Sequence, residues 1–316
     1  MKYTDPKCYF PQMFMTDEIY AIQAMVHDFV DKEIMPVRHL IDDDTDGKIV
    51  AKIRQGLVDI GIQRMLLPRE YGGDGLGMVA NCVVAEELTR GDGGIAMSLS
   101  CTNWAWAPAR WADNKALLDR FMPDFCGNQV RIACHNMTEP GGPHGGGGCD
   151  IENPYFEGRK LRLIAKLKGD EWVINGSKLW ATNSGDADLY CNPCTIDPNL
   201  GLAGIAYVYV PYPWEGLTRG SNENKTGYRS DQNCATYFDD VRIPREWGIE
   251  PGPETARIFY RNLLSPKNCC YGAGLVRGAF ETLLEYTGQR IVGDKPINQH
   301  SLCAKVIADM AVALKH

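Results

Sequence analysis

Twelve cysteines provide one Cys-x-x-Cys, Cys191 to Cys194, at the end of a strand-like run. It lacks a second pair and a nearby histidine, so neither zinc nor redox work is indicated. The adjacent Cys269-Cys270 reads as equally bland. Cys82, Cys101 and Cys134 sit among apolar neighbours as reduced small hydrophobes. Glycines 72, 73, 75 and 77 do not satisfy Gly-x-Gly-x-x-Gly and follow nothing strand-like, so they make a loop and not a dinucleotide site. Neither a Gly-Lys-Ser/Thr ending nor His-Glu-x-x-His occurs, and the six histidines are scattered. Three strings stand out instead: Thr138-Glu139-Pro140-Gly141-Gly142, then Ile174 through Asn183, then Phe238-Asp239-Asp240-Val241-Arg242-Ile243-Pro244. Each alone could be a hairpin or turn. The second offers an indole and a hydroxyl two residues apart, Trp180 and Thr182, which on a strand share one face. A tryptophan there is also what a packed core contains.

The elements that would position these strings follow from periodicity. Ile19, Ile22, Val26, Phe29 and Val30 step by three and four, with Thr16 placed to cap the helix. The same spacing predicts helices over Ile53 to Ile62, Val79 to Leu88, Gly94 to Trp111 and Lys115 to Cys126. Near Val130 the period changes. Leu161, Leu163, Ala165 and Leu167 alternate with Arg162, Ile164, Lys166 and Lys168, Gly169-Asp170 offers a tight turn, and Asn175-Gly176 reads as a second turn after Trp172-Val173-Ile174. Further strands are expected at Ile205 to Val210 and Ala235 to Ile243. Helical spacing returns in Cys270 to Tyr286 and Leu302 to Leu314, where the sequence stops abruptly. The expected class is α+β: an N-terminal all-α domain (1–129), a middle β-barrel or sandwich domain (130–245), and a truncated C-terminal helical-bundle domain (246–316).

Composition agrees with several domains and excludes other classes. At roughly 150 residues per domain, 316 residues suggest about two, with three small ones possible. An apolar share of 44% is that of a chain able to build cores, not a disordered or collagen-like one. The net charge of −7 argues against an electrostatic nucleic-acid binder. No apolar run approaches the roughly 18 residues of a membrane span, and the start, Met1 to Lys7, shows no targeting pattern. A cytoplasmic protein is the expectation.

Taken in order, the three strings resemble the acyl-CoA dehydrogenase family. The likeness runs from about Thr16 to the last residue and includes Pro68-Arg69-Glu70-Tyr71-Gly72-Gly73, Glu86-Glu87-Leu88 and Ala308-Asp309-Met310-Ala311. It implies FAD as cofactor, an acyl-CoA thioester as substrate, an electron-transfer flavoprotein as acceptor, and a homo-oligomer (dimer or tetramer) or heteromer. The matching cofactor residues are His135, Met137, Thr138, Cys149, Trp180, Ala181, Thr182, Arg290, Val292 and His300, and the matching substrate residues are Cys149, Asn262 and Ser265. In the family the threonine at 182 bonds flavin N5, and the stretch His135 to Thr138 lines the pyrimidine side. Arg290 and His300 match positions that contact the FAD of a neighbouring subunit. A flat ring, apolar on its faces and polar along one edge, suits an indole wall with a hydroxyl at its rim. A fork-shaped cation suits a pyrophosphate, although an arginine after a helix is usually a solvated end.

The implied reaction removes a proton from the acyl α-carbon and a hydride from the β-carbon, leaving a trans-2-enoyl thioester. The base is normally a carboxylate with a raised pKa in a water-poor pocket. Here the resemblance breaks. The usual glutamate has no counterpart, and the alternative position in some relatives falls on Leu264, beside Ser265 where an arginine is frequent. Glu281 and Glu285 read as ordinary helical acids. Cys149 stands where a serine is usual, in a glycine-rich loop from Gly142 that either lets backbone approach a ligand or is merely mobile. Gly293-Asp294 replaces Phe-Gly, and Ser301 replaces Gln. The altered loop hints at a branched, cyclic or aromatic acyl group. The first expectation is therefore a dehydrogenase whose sequence lacks its C-terminal part and base, weak in FAD retention and inactive alone. The alternatives are a base-less flavin- or acyl-CoA-binding subunit and an oxygen-using acyl-CoA oxidase.

Overall fold

The computed structural model describes residues 14–142, 145–147, 161–263 and 267–315. Its α-helices are α1 (Asp17–Phe29), α2 (Arg38–Ile41), α3 (Lys48–Asp59), α4 (Met78–Gly91), α5 (Gly93–Trp111), α6 (Lys115–Phe125), α7 (Pro253–Leu263), α8 (Lys267–Gln289) and α9 (Ser301–Lys315). The strands are β1 (Ala133–His135), β2 (Glu139–Gly142), β3 (Gly145–Gly147), β4 (Ile164–Lys168), β5 (Glu171–Lys178), β6 (Leu189–Thr195), β7 (Ile205–Pro211), β8 (Leu217–Arg219), β9 (Thr236–Pro244), β10 (Gly248–Ile249), β11 (Ile291–Val292) and β12 (Lys295–Pro296). The predicted helices and principal strands are present. Helix α7 escaped the sequence reading; it opens on Pro253 at a position that tolerates a missing N–H, and the Gly252 N–H donates to Thr255 Oγ1 at 2.8 Å.

Contacts divide the chain into two units: residues 1–49, 76–96 and 266–316 in one, and residues 50–75 and 97–265 in the other. The first is helical. Thr16 Oγ1 accepts the Ile19 N–H at 3.3 Å and caps α1, as its residue type predicts. Val26, Val30 and Ile34 bury one stripe of α1 and of the π-helical turn after it. Helices α4 and α8 approach closely because Gly274 and Gly278, one turn apart, face α4. A Cβ on either would stand 2.4 Å from the carbonyl of Glu86 or Arg90.

The second unit is built on a curled, mixed, eight-stranded sheet in the order β10-β7-β6-β4-β5-β9-β8, with β1 parallel to β6. Alternation decides its two cores. Ile205, Tyr207 and Tyr209 of β7 join Trp106, Phe121 and Phe125 of α5 and α6 on one face. Ala206, Val208 and Val210 meet Trp172, Ile174 and Phe238 on the other. Both faces of β7 are therefore buried, which is why its sequence reads as a nearly continuous apolar run. Cys191 and Cys194, three apart on β6, consequently lie in different cores, and burial pushes the Cys194 thiol up to about 12.

One turn assignment is corrected. Gly169-Asp170 does turn β4 into β5, but Asn175-Gly176 lies inside β5, where the register with β9 shifts. Gly176 has φ +132°, and a Cβ there would stand 3.1 Å from Leu163 Cα. The dipeptide that signals a hairpin is used here as a bulge, closed by Asn175 Nδ2 donating to Asp240 Oδ1 at 2.9 Å.

Candidate active site

Strand β5 delivers the second motif and then stops. Lys178, its last residue, is wholly buried, and its Nζ donates to Glu139 Oε1 at 2.8 Å and to Met137 O at 3.1 Å. Glu139 also accepts the backbone N–H groups of Arg162 and Leu163, at 2.7 and 3.0 Å. The first motif thus supplies a buried anchor that ties the end of β5 to the chain after β1. The next residue continues the tie, with Leu179 N–H donating to Thr138 O at 2.9 Å.

Trp180 and Thr182 do not stand on a strand, contrary to the sequence reading. Past Lys178 the chain enters a turn whose ends, Trp180 (φ +66°) and Asn183 (φ +68°), are both left-handed. For a bulky residue that conformation costs roughly 1–2 kcal/mol and needs outside support. The support is tertiary. Trp180 N–H donates to Cys234 O at 3.2 Å and Trp180 O accepts Asn233 Nδ2 at 2.9 Å. Asn183 N–H donates to Asp231 Oδ1 at 2.9 Å, and Asn183 Nδ2 reaches Ser98 O and Ala133 O at 2.8 and 2.9 Å. The indole is left 49% exposed, far more than the core alternative allows, while Thr182 is half-buried and Ala181 is buried.

Strand β1, just ahead of the first motif, and the second motif meet at Cys101. Its thiol donates to Thr182 O at 3.4 Å, and its sulfur accepts the His135 N–H at 3.3 Å. His135, on β1, and Met137 are buried, and Met137 N–H closes a tight turn on His135 O at 2.9 Å. The structure therefore brings His135, Met137, Thr138, Trp180, Ala181 and Thr182 into one neighbourhood. Sequence reasoning missed its supports. Cys101 reads as a small hydrophobe, and Asp231 and Asn233 fall outside the three strings; Asn183 closes the second string, and asparagine is among the non-glycine residues that best tolerate the left-handed region.

In the helical unit, Arg290, Val292 and His300 gather around the hairpin of β11 and β12. His300 Nε2 lies 2.7 Å from Val292 O, and Ile297 N–H donates to Arg290 O at 2.8 Å. Gly293 and Asp294 form its tip with φ +56° and +70°. Arg290 and Val292 are exposed. Asn262 lies on α7, and Cys149, Leu264 and Ser265 lie outside the described residues. Glu281 is engaged twice, by Arg90 Nη1 at 2.9 Å and by Arg277 Nε at 3.2 Å. Glu285 accepts Gln289 Nε2 at 3.4 Å. Among the described residues no helix is long and apolar enough to cross a membrane.

Comparison with known proteins places this geometry. The model of the acyl-CoA dehydrogenase N-terminal domain matches residues 16–128, and that of the middle domain matches residues 134–241. The cyclohexane-1-carbonyl-CoA dehydrogenase of Syntrophus aciditrophicus is 28% identical over 304 residues, covering 95% of this chain and 75% of its own. The structure of butyryl-CoA dehydrogenase from Megasphaera elsdenii superposes with a TM-score of 0.80 at 24% identity, covering 95% of this chain and 76% of its own. A structure of the electron transferring flavoprotein of Acidaminococcus fermentans contains a chain of the same fold, with a TM-score of 0.82 at 23% identity and coverages of 95% and 76%. With 95% of the sequence matched and both family domains in order, the chain belongs to the acyl-CoA dehydrogenase family of FAD-dependent oxidoreductases.

Proposed function

We propose that the protein serves the dehydrogenation of an acyl-CoA thioester at its α and β carbons to the trans-2-enoyl-CoA, with the α-proton going to a carboxylate that none of the residues singled out here supplies, and with electrons passing to an electron-transfer flavoprotein. The observation that carries this is the segment from Trp180 to Asn183, which holds a half-exposed indole and a hydroxyl in a strained, multiply tied turn. Such strain persists only where surrounding contacts over-determine it, and it collects at functional sites. The donor set fits FAD: an aromatic wall, a hydroxyl two residues on, and the exposed Arg290 for a phosphate. FAD, when bound, accepts the hydride equivalent from the β-carbon.

The chain's own residues do the rest of the work assigned to them. Trp180 would cover one face of the ring and exclude water from it. Thr182 would bond its reacting edge, and the stretch from His135 to Thr138 would line the pyrimidine side. Arg290, Val292 and His300, on their hairpin, serve the FAD of a neighbouring subunit, so the working form is an oligomer. Glu281 is held by Arg90 and Arg277 inside the helical unit, so no part in taking the α-proton is assigned to it. The flavoprotein partner is supported by the fold shared with the Acidaminococcus fermentans structure. The name of the Syntrophus aciditrophicus relative makes cyclic acyl groups the first class to try.

The test is anaerobic bleaching of the bound flavin by cyclohexane-1-carbonyl-, glutaryl- and butyryl-CoA, run on the protein isolated from its natural source with any co-purifying chain that brings the base, followed by reoxidation with electron-transfer flavoprotein. Bleaching that is abolished by Trp180→Ala and slowed by Thr182→Val is expected. Full FAD binding with no bleaching by any thioester overturns the reading in favour of a binding subunit. Rapid peroxide formation in air favours the oxidase.

A further inference from the structure

Helices α4 and α8 run parallel in a fixed register. A Cβ on Gly274 would stand 2.4 Å from Glu86 O, and one on Gly278 would stand 2.4 Å from Arg90 O, so a step of four in one helix is matched by a step of four in the other. The ion pairs repeat the match. Arg277 Nη1 meets Glu86 Oε1 at 3.1 Å, and one turn further on Glu281 Oε2 meets Arg90 Nη1 at 2.9 Å. Ridges spaced by four thus interlock along both helices. Four positions before Glu86 stands Cys82, and four positions before Gly274 stands Cys270. The register that sets the two glycines against α4 carbonyls therefore sets these two cysteines beside each other. Both are half-buried, within reach of a small reagent, while the adjacent Cys269 is exposed.

We propose that Cys82 and Cys270 are a redox-sensitive pair: a small-molecule disulfide oxidises them to a cross-link that staples the first turn of α8 to α4, and a thiol reverses it. The step needs no further reactant. One thiolate attacks the reagent disulfide and releases one thiol, and the second thiolate then attacks the mixed disulfide and releases the other. Two S–H bonds of the protein are lost, one S–S bond forms, and the two electrons leave on the sulfurs of the reagent. A disulfide needs Cα atoms about 4.4–6.8 Å apart, a spacing within reach of helices whose backbones touch one turn away. The Cys82 thiol, together with burial, pushes the Cys270 thiol up, as a neighbour in that register does, and this slows exchange at neutral pH. Cys269, one position round the helix, does not share the face of Cys270. Both members of the pair belong to the helical unit, and nothing in their pairing depends on where the cofactor lies.

The experiment incubates the folded full chain, supplied with FAD, with oxidised glutathione at mildly alkaline pH, where more thiolate forms. Remaining thiols are then alkylated and the peptides mapped by mass spectrometry after digestion without reduction. The expected product links the peptide carrying Cys82 to the one carrying Cys270. Because the link closes a long loop of the unfolded chain, Tm is expected to rise by roughly 5 °C or more, and dithiothreitol reverses both changes. Variants assign the bond: Cys269→Ser keeps the link and the rise in Tm, whereas Cys82→Ser and Cys270→Ser each lose both. Should a serine variant not fold, fragmentation of the wild-type linked peptides places the bond at Cys270 or Cys269. Glutathione carried by Cys269 while Cys82 and Cys270 are both alkylated overturns the proposal. So does a link that survives in Cys270→Ser, or one that forms only in urea, where the two helices have parted.

Discussion

Asn183 shows how much one side chain near the cofactor turn does for stability. Its amide satisfies two buried carbonyls, Ser98 O and Ala133 O, while its backbone sits at φ +68°. Asn183→Ala leaves both carbonyls without that partner and adds the left-handed strain of a plain L-residue. The expected loss is about 2–4 kcal/mol, seen as a lower urea midpoint at unchanged slope. Asn183→Gly recovers about 1 kcal/mol of that, because glycine adopts the conformation without strain. Lys178 and Glu139 form a pair with no exposed surface on either side chain. Lys178→Met strands a buried carboxylate and is expected to cost about 3–5 kcal/mol, whereas Lys178→Met with Glu139→Gln costs less than the single change. A double variant less stable than Lys178→Met in the same unfolding assay contradicts this.

Between elements, the helical unit depends on a glycine contact and a buried charge network. Gly274→Ala and Gly278→Ala push a methyl group against the α4 carbonyls and are each expected to cost about 1–3 kcal/mol, read as a fall in Tm. The network joins three helices through Arg277. Its Nη2 meets Glu87 Oε2 at 2.8 Å and its Nη1 meets Glu86 Oε1 at 3.1 Å, while His27 Nδ1 of α1 lies 3.0 Å from Glu87 Oε2. The two acids are held in opposite directions. Burial works to raise Glu87, but the His27 hydrogen bond and the Arg277 charge outweigh it and hold the carboxyl below 4.5. Burial wins at Glu86 and pushes it above 4.5, with Arg277 only partly offsetting it. A depressed carboxyl stabilises the fold above its unfolded value and loses that contribution as pH falls through its folded value. A raised one carries a cost at neutral pH that shrinks as pH falls toward 4.5. Glu87→Gln is therefore expected to lower Tm at pH 7 more than Glu86→Gln, and to flatten the loss of stability below 4.5. Equal Tm shifts and an unchanged acid limb count against this assignment.

At the scale of the molecule, the proposed cofactor residues fall in two contact units, Trp180 and Thr182 in one and Arg290 and His300 in the other. If Arg290 serves a neighbouring subunit's FAD, cofactor occupancy depends on assembly. FAD content per chain is expected to rise with protein concentration, and Arg290→Ala to weaken FAD binding by about tenfold or more while leaving the Trp180 turn and its fluorescence intact. Equilibrium dialysis over a dilution series checks both. Occupancy that is independent of concentration, with tight binding in Arg290→Ala, removes the shared site.

Helix and strand periods, the Thr16 cap and the order of three short strings were enough to read the α+β plan and the family, because those features are local: each is a property of residues within a turn or two. Glu139 and Lys178 were in the right strings, yet their pairing spans 39 positions and is visible only in the fold. The same distance in sequence explains the two misreadings. Asn175-Gly176 becomes a bulge because Leu163 backbone lies against it, and the chain turns at Trp180 because Cys101, Asp231, Asn233 and Cys234 hold it there. Residue types fixed which groups are available for redox chemistry. Only long-range hydrogen bonds, which no local pattern encodes, decided which way the indole and hydroxyl are presented.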